Sequence, residues 1–110
     1  MLPRTKRIST ELFKASGGKG RSLQGAFLSL RYTPSSDTSR YAFVVSKQVG
    51  KTAVLRNKLR RWGYEGVAKT GFNPKKPHLF FFFFKKTKEM PTFKAIYEEI
   101  HLLLTKTGTL

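Results

Sequence analysis

The chain has no cysteine, only six acidic residues, two histidines and no long apolar run. Without cysteine there can be no disulfide, thiolate zinc site or cysteine nucleophile, and the composition fits a reducing cytoplasm. The six acids (Glu11, Asp37, Glu65, Glu89, Glu98 and Glu99) are scattered, so no paired-carboxylate or two-metal constellation can be assembled. His78 and His101 stand alone, without the spacing of metal ligands, and no protein-held metal is expected. The longest apolar run, Leu79 to Phe84, is far short of the roughly 20 residues that span a bilayer. The opening Met1-Leu2-Pro3-Arg4 runs into basic and polar residues, so neither a signal peptide nor a membrane partner is expected.

What the chain does have is positive charge. Twenty-two Lys and Arg face the six acids, a net charge of +16 over 110 residues. A single domain of that charge repels itself and calls for a polyanionic partner. The excess is uneven: residues 1–86 carry 19 basic and 3 acidic side chains, while residues 87–110 carry 3 of each. The final segment therefore reads as structural, and the rest as the binding part.

The densest basic stretch is 46–66, SKQVGKTAVLRNKLRRWGYEG, with Lys47, Lys51, Arg56, Lys58, Arg60 and Arg61 preceding the first acid, Glu65. On a helix from about Val54, Leu55, Leu59 and Trp62 fall on one stripe with Gly66, which predicts a core-facing side. Arg56, Asn57, Arg60, Arg61 and Tyr64 share the opposite arc. A basic arc can be merely solvated. This one has no acid for i,i+4 pairing, and arginine forks beside Asn57 and Tyr64 suit phosphate, sugar or base. Gly50-Lys51-Thr52 lacks the first glycine of a phosphate loop, and nothing points to a small-molecule substrate.

Around this stretch, Ser9 or Thr10 can cap a short helix carrying Leu12 and Phe13, ending at Gly17-Gly18. A basic loop over 17–25 follows. Strands are predicted over 24–33 and 40–47, joined by a polar turn at 34–39 into an antiparallel hairpin. In the first strand Phe27, Ser29 and Arg31 share one face, and Leu28, Leu30 and Tyr32 the other. A very short strand at 52–54 is a further expectation. Gly63 and Gly66 each weaken the basic helix by roughly 1 kcal/mol, so its last turn is expected to fray or bend. His78 to Lys85, with five consecutive phenylalanines, reads as a central strand buried on both faces, although alternate members could stack on RNA from an open face. Pro91 and Thr92 start a final helix whose Phe93, Ile96, Tyr97, Ile100, Leu103 and Leu104 form one apolar face.

Ser46, Lys47, Gly50, Ala53, Val54, Arg56, Asn57 and Arg61, with Arg60 for a lysine, resemble the signature S-K-K-x-G-x-A-V-x-R-N-x-x-K-R of the bacterial ribonuclease P protein subunit. The resemblance implies an α+β, single-domain α/β sandwich of ribosomal-protein type: a mixed four-stranded sheet with helices and a left-handed βαβ crossover about the basic helix. It implies a protein that is not itself catalytic. Such a subunit binds the ribonuclease P catalytic RNA and the 5′ leader of precursor tRNA, and the Mg²⁺ of the reaction is bound mainly by RNA.

Carried over residue by residue, Lys47, Lys51, Arg56, Asn57, Lys58, Arg60, Arg61 and Tyr64 would face the catalytic RNA. Arg7, Phe13, Arg31 and Ser46 would line a cleft for the leader, between the basic helix and the open sheet face. The chain departs from the family at Gln48 (a lysine there), at Tyr64 (an arginine), by one extra residue between Gly50 and Arg56, and by lacking a second aromatic after Phe13. A structural RNA binder of ribosomal type, or an RNA chaperone, is the alternative that charge and size equally suit.

Overall fold

The strand His78–Phe84 is apolar at both parities, so it is stable only with cover on both faces and a neighbour on both edges. In the computed structural model, which describes residues 20–34, 39–71 and 75–108, it has those neighbours. The elements are β1 (Arg21–Gln24), β2 (Leu28–Pro34), β3 (Arg40–Val44), α1 (Ala53–Thr70), β4 (His78–Phe84) and α2 (Phe93–Lys106). They build one mixed sheet in the order β1-β2-β4-β3. β4 pairs antiparallel with β2 (Leu30 opposite Phe82, Tyr32 opposite Phe80) and parallel with β3 (Tyr41 beside Phe80, Phe43 beside Phe82).

Strand alternation divides the phenylalanines. Phe80, Phe82 and Phe84 point to the face covered by both helices, where they join Leu28, Leu30, Tyr32, Tyr41, Phe43 and Val45. Neighbouring rings stack in register: Phe43 on Phe82 at 4.7 Å and Tyr41 on Phe80 at 5.1 Å between centroids. Leu59 and Val67 of α1 and Ile96, Ile100, Leu103 and Leu104 of α2 close this core. Leu79 and Phe81 point to the other face, where they are buried with Ala42, and Phe83 is half-buried beside them.

Several expectations are corrected, the first being the loop over 17–25, in which Arg21–Gln24 form β1 because the open edge of β2 offers them pairing. The two early strands do not form a hairpin with each other; β4 lies between them, and β2 instead pairs with β1, antiparallel, with Leu23 opposite Leu30. The physical reason is the double-sided β4, whose two edges are satisfied only from the centre of the sheet. Residues 52–54 form no strand. Thr52 caps α1, its hydroxyl accepting from the Leu55 amide at 3.1 Å, and Ala53 is already helical. The β3–α1–β4 unit joins adjacent parallel strands through the basic helix, as the resemblance implies.

Gly63 and Gly66 do not interrupt α1, which continues to Thr70 and closes on Gly71 in the left-handed region. They are points of close approach. A Cβ on Gly63 would lie 2.4 Å from the Phe43 ring, and one on Gly66 would lie 2.9 Å from Ile100. The short helix expected near Leu12 and Phe13 lies outside the described residues.

Candidate nucleic-acid interface

A chain leaving β3 must turn back before α1 can run down the sheet. Residues 46–52 make that turn, with the Ser46 carbonyl accepting from the amides of Val49 (3.1 Å) and Gly50 (2.9 Å). Arg56, from the first turns of α1, donates through Nη1 to the Gly50 carbonyl at 2.8 Å. Gly50 is buried, and a Cβ there would sit 2.6 Å from Arg56 Cγ. The turn is thus clamped by the helix that it introduces, leaving Ser46, Lys47, Gln48 and Lys51 exposed.

The first turn of α1 contains no acid. Its free amides and positive dipole end therefore have no carboxylate within the turn to answer them, and they follow directly on exposed Lys51. Val54, in that first turn, is 79% exposed. Such an end is a ready site for phosphate.

The structure divides the expected RNA-facing arc in two. Asn57, Lys58 and Arg61 are exposed, while Arg56, Arg60 and Tyr64 are half-buried on the flank towards β3. Tyr64 packs its ring edge-on to Phe43 at 5.0 Å. The buried line of α1 is Leu59, Gly63, Gly66 and Val67, rotated by roughly 60° from the stripe Leu55-Leu59-Trp62 at 100° per residue. The rotation follows from glycine 63, which a hydropathy pattern does not count as apolar but which lets the helix rest directly on Phe43. Leu55 and Trp62 are left half-buried at the border, with the Lys58 ammonium 4.8 Å above the Trp62 ring. Arg60 donates to the Asn57 side-chain carbonyl, which orients both groups on the exposed side.

Of the residues expected to line a leader cleft, Arg31 lies on the face opposite the helices, its guanidinium 5.8 Å above the Phe83 ring. The sheet separates it from α1, so the two surfaces are not walls of one cleft; strand alternation puts them on opposite faces that meet at the β3 edge. Ser46 stands at that edge. Arg7 and Phe13 lie outside the described residues.

Three cations that the sequence reading passed over belong to the same end of the molecule. The segment after β4 brings Lys85, Lys86 and Lys88 around a groove of about 250 Å³ that Gln48, Val49 and Lys51 also line. Lys85 is partly committed, donating to the Gly25 carbonyl at 2.9 Å. The signal was present as KKTK between Phe84 and Glu89, but only the sheet topology shows that it returns to the turn before α1. Among the described residues no three His, Asp or Glu side chains gather as a metal site, and no helix is long and apolar enough to cross a membrane.

The sequence model of ribonuclease P matches residues 2–108. The chain belongs to the ribonuclease P protein family. It superposes on the Staphylococcus aureus RNase P protein with a TM-score of 0.79 at 21% identity, covering 94% of this chain and 96% of that one. The Thermotoga maritima RNase P protein gives a TM-score of 0.77 at 25% identity, covering 91% and 96%. A Staphylococcus aureus mutant with defective mRNA degradation activity gives 0.81 at 21% identity, covering 97% and 92%. No curated protein matches the sequence. As a ribonuclease P protein, the chain is the non-catalytic protein component of the tRNA-processing endoribonuclease, a metal-dependent ribonucleoprotein whose other component is RNA.

Proposed function

We propose that this ribonuclease P protein docks on the catalytic RNA through the acid-free N-terminal end of α1 and the turn before it. Lys47, Lys51, Asn57, Lys58, Arg60 and Arg61 would contact phosphate and sugar, Arg56 would hold the turn in shape, and Tyr64 would lie at the border. The observation that carries the reading is the coincidence of an uncompensated helix N-terminus with a clamped, exposed basic turn. Lys86 and Lys88 extend the surface.

The 5′ leader of precursor tRNA would lie across the opposite sheet face, along Arg31 and Phe83 and towards Ser46, with Arg7 and Phe13 as further candidates from the sequence. A half-buried ring beneath a guanidinium suits an unpaired strand read with little sequence preference. The two RNAs would thus occupy the two sides of one sheet, and the protein would act as a spacer that sets the leader at a fixed offset from the catalytic RNA. The Mg²⁺ of the reaction would be held mainly by RNA oxygens, which suit a hard cation. The setting would be the cytoplasm.

The test is cleavage of a precursor tRNA at low Mg²⁺ by the cognate RNA, with and without the protein, and by protein alone. Stimulation that requires both components is expected. Tight RNA binding without stimulation would leave a structural RNA binder, and cleavage by protein alone would place chemistry in the chain.

A further inference from the structure

A second cationic site lies at the other end of the sheet. β4 runs from His78 to Phe84, six steps of ~3.3 Å or about 20 Å. The basic turn and Lys86 lie beyond its Phe84 end. Beyond its His78 end is a cavity of about 630 Å³, on the helix-covered side, with Arg21, Tyr32, Lys75, Lys76 and His78 in its wall and the C-terminal end of α2 closing it at Thr107 and Gly108. Among the described residues, none that lines it is acidic.

The wall has two chemically different parts. One is Arg21, Lys75 and Lys76, all exposed and all suited to phosphate oxygens. The other is aromatic. The His78 ring lies 6.2 Å from Tyr32 and 5.9 Å from Phe80, so rings of the core back it. Its Nδ1 is 2.8 Å from the Lys76 carbonyl, which can only accept, so Nδ1 carries a hydrogen and the ring is held in place. The His78 amide donates to Ser39 Oγ at 3.1 Å, which fixes the strand end that presents the ring. A bare phosphate needs the cations alone. A cavity within the ~300–1,000 Å³ range of small-molecule sites, cationic on one side and aromatic on the other, fits a base, sugar and phosphate together.

We infer that this cavity holds one unpaired nucleotide of an RNA strand, with its phosphate at Arg21, Lys75 and Lys76 and its base against His78. The inference rests on RNA being the partner, but it concerns a site separate from the α1 surface and the Arg31 face. Anchorage at both ends of the sheet would fix the protein's orientation on its RNA and raise the effective concentration of each contact for the other.

The experiment is NMR titration of the full chain with hexa-adenylate, adenosine monophosphate and inorganic phosphate in turn, following the His78 ring protons and the Gly20 and Gly108 amides. The oligonucleotide and the mononucleotide are expected to move all three probes, and phosphate only the Lys75 and Lys76 signals. Lys75→Ala/Lys76→Ala should lower the slope of log affinity against log salt for hexa-adenylate by about 1.4, and His78→Ala should weaken its binding by about fivefold or more. Equal shifts with phosphate and mononucleotide would make this an anion site only and overturn the inference. Shifts at Lys51 and Arg61 without any at His78 would overturn it while leaving the α1 surface standing; hexa-adenylate that moved neither set would count against both.

Discussion

Arg56 reaches back six residues to donate to the carbonyl of buried Gly50 at 2.8 Å, so one of the helix's arginines is spent on shaping the turn that carries Lys47 and Lys51. Its removal should act twice. Losing a charged donor to a partly buried carbonyl costs about 1–3 kcal/mol, and the loosened turn should lower RNA affinity beyond the loss of one charge. Arg61→Ala, at an exposed side chain with no such contact among the described residues, should leave the denaturation midpoint unchanged and reduce the salt slope by just under one. Hydrogen exchange at Val49 and Gly50 checks the clamp: it should accelerate in Arg56→Ala and not in Arg61→Ala.

Gly63 meets Phe43 where no side chain fits. An alanine Cβ would lie 2.4 Å from a ring held by its stack on Phe82 and by a T-shaped contact with Tyr64. The helix-propensity gain of about 1 kcal/mol is smaller than the overpacking and displacement it forces, so Gly63→Ala should destabilise by about 1–3 kcal/mol. Adding Phe43→Leu to that variant should recover part of the loss, and thermal melts of the two singles and the double would read the coupling. Strictly additive losses would mean that the contact is not the cause.

These glycines also show where the sequence stops being legible. The apolar repeat of α2 and the two-faced β4 could be read directly, because periodicity is a local property, whereas the Thr52 cap was hidden in a stretch that reads equally as a short strand. The rotation of α1 could not, since a glycine that is buried for what it lacks has no hydropathic signature. β1 was missed for a similar reason: Arg21-Ser22-Leu23-Gln24 has one apolar residue, and only the open edge of β2 makes it a strand. Pairing partners are decided by competition among strands, so β2 and β3, adjacent in sequence, are parted by a β4 that has the stronger claim on both. At the site, the cations of 46–61 were legible as a run, whereas the return of Lys86 and Lys88 beside Lys51, and the placing of Arg31 on the far side of the sheet, are consequences of topology.

Glu99 gives a third prediction. Its carboxylate accepts from the adjacent amides of Ala26 (2.5 Å) and Phe27 (2.8 Å), tying the β1–β2 turn to α2. Two successive amides converging on one carboxylate form a small anion nest, and Gly25 is needed there because a Cβ would come within 2.6 Å of that carboxylate. Glu99→Gln keeps the shape but puts an amide NH₂ against one of the donors. The variant should lose about 1–3 kcal/mol in urea denaturation, with faster exchange at Ala26 and Phe27. Unchanged exchange at both amides would rule out the anchor.

Tyr41 supplies a prediction at high pH. Burial in the core pushes its phenol up from 10.0 to about 12. Between those values the unfolded chain has released the phenolic proton while the folded chain retains it, so the folded state binds more protons and stability falls as pH rises. The contribution is fully present below pH 10 and gone once the pH has risen through about 12. A shift of this size corresponds to about 2 kcal/mol once partial solvation is allowed for. The comparison is with Tyr41→Phe, which retains the stack on Phe80 but has no proton to lose. Urea midpoints measured from pH 9 upwards should fall more steeply for the native chain than for Tyr41→Phe, the curves separating above pH 10. Parallel curves would mean that the phenol ionises as readily in the folded chain as in the unfolded one, and that the stacked pair at the β3–β4 seam opens to solvent.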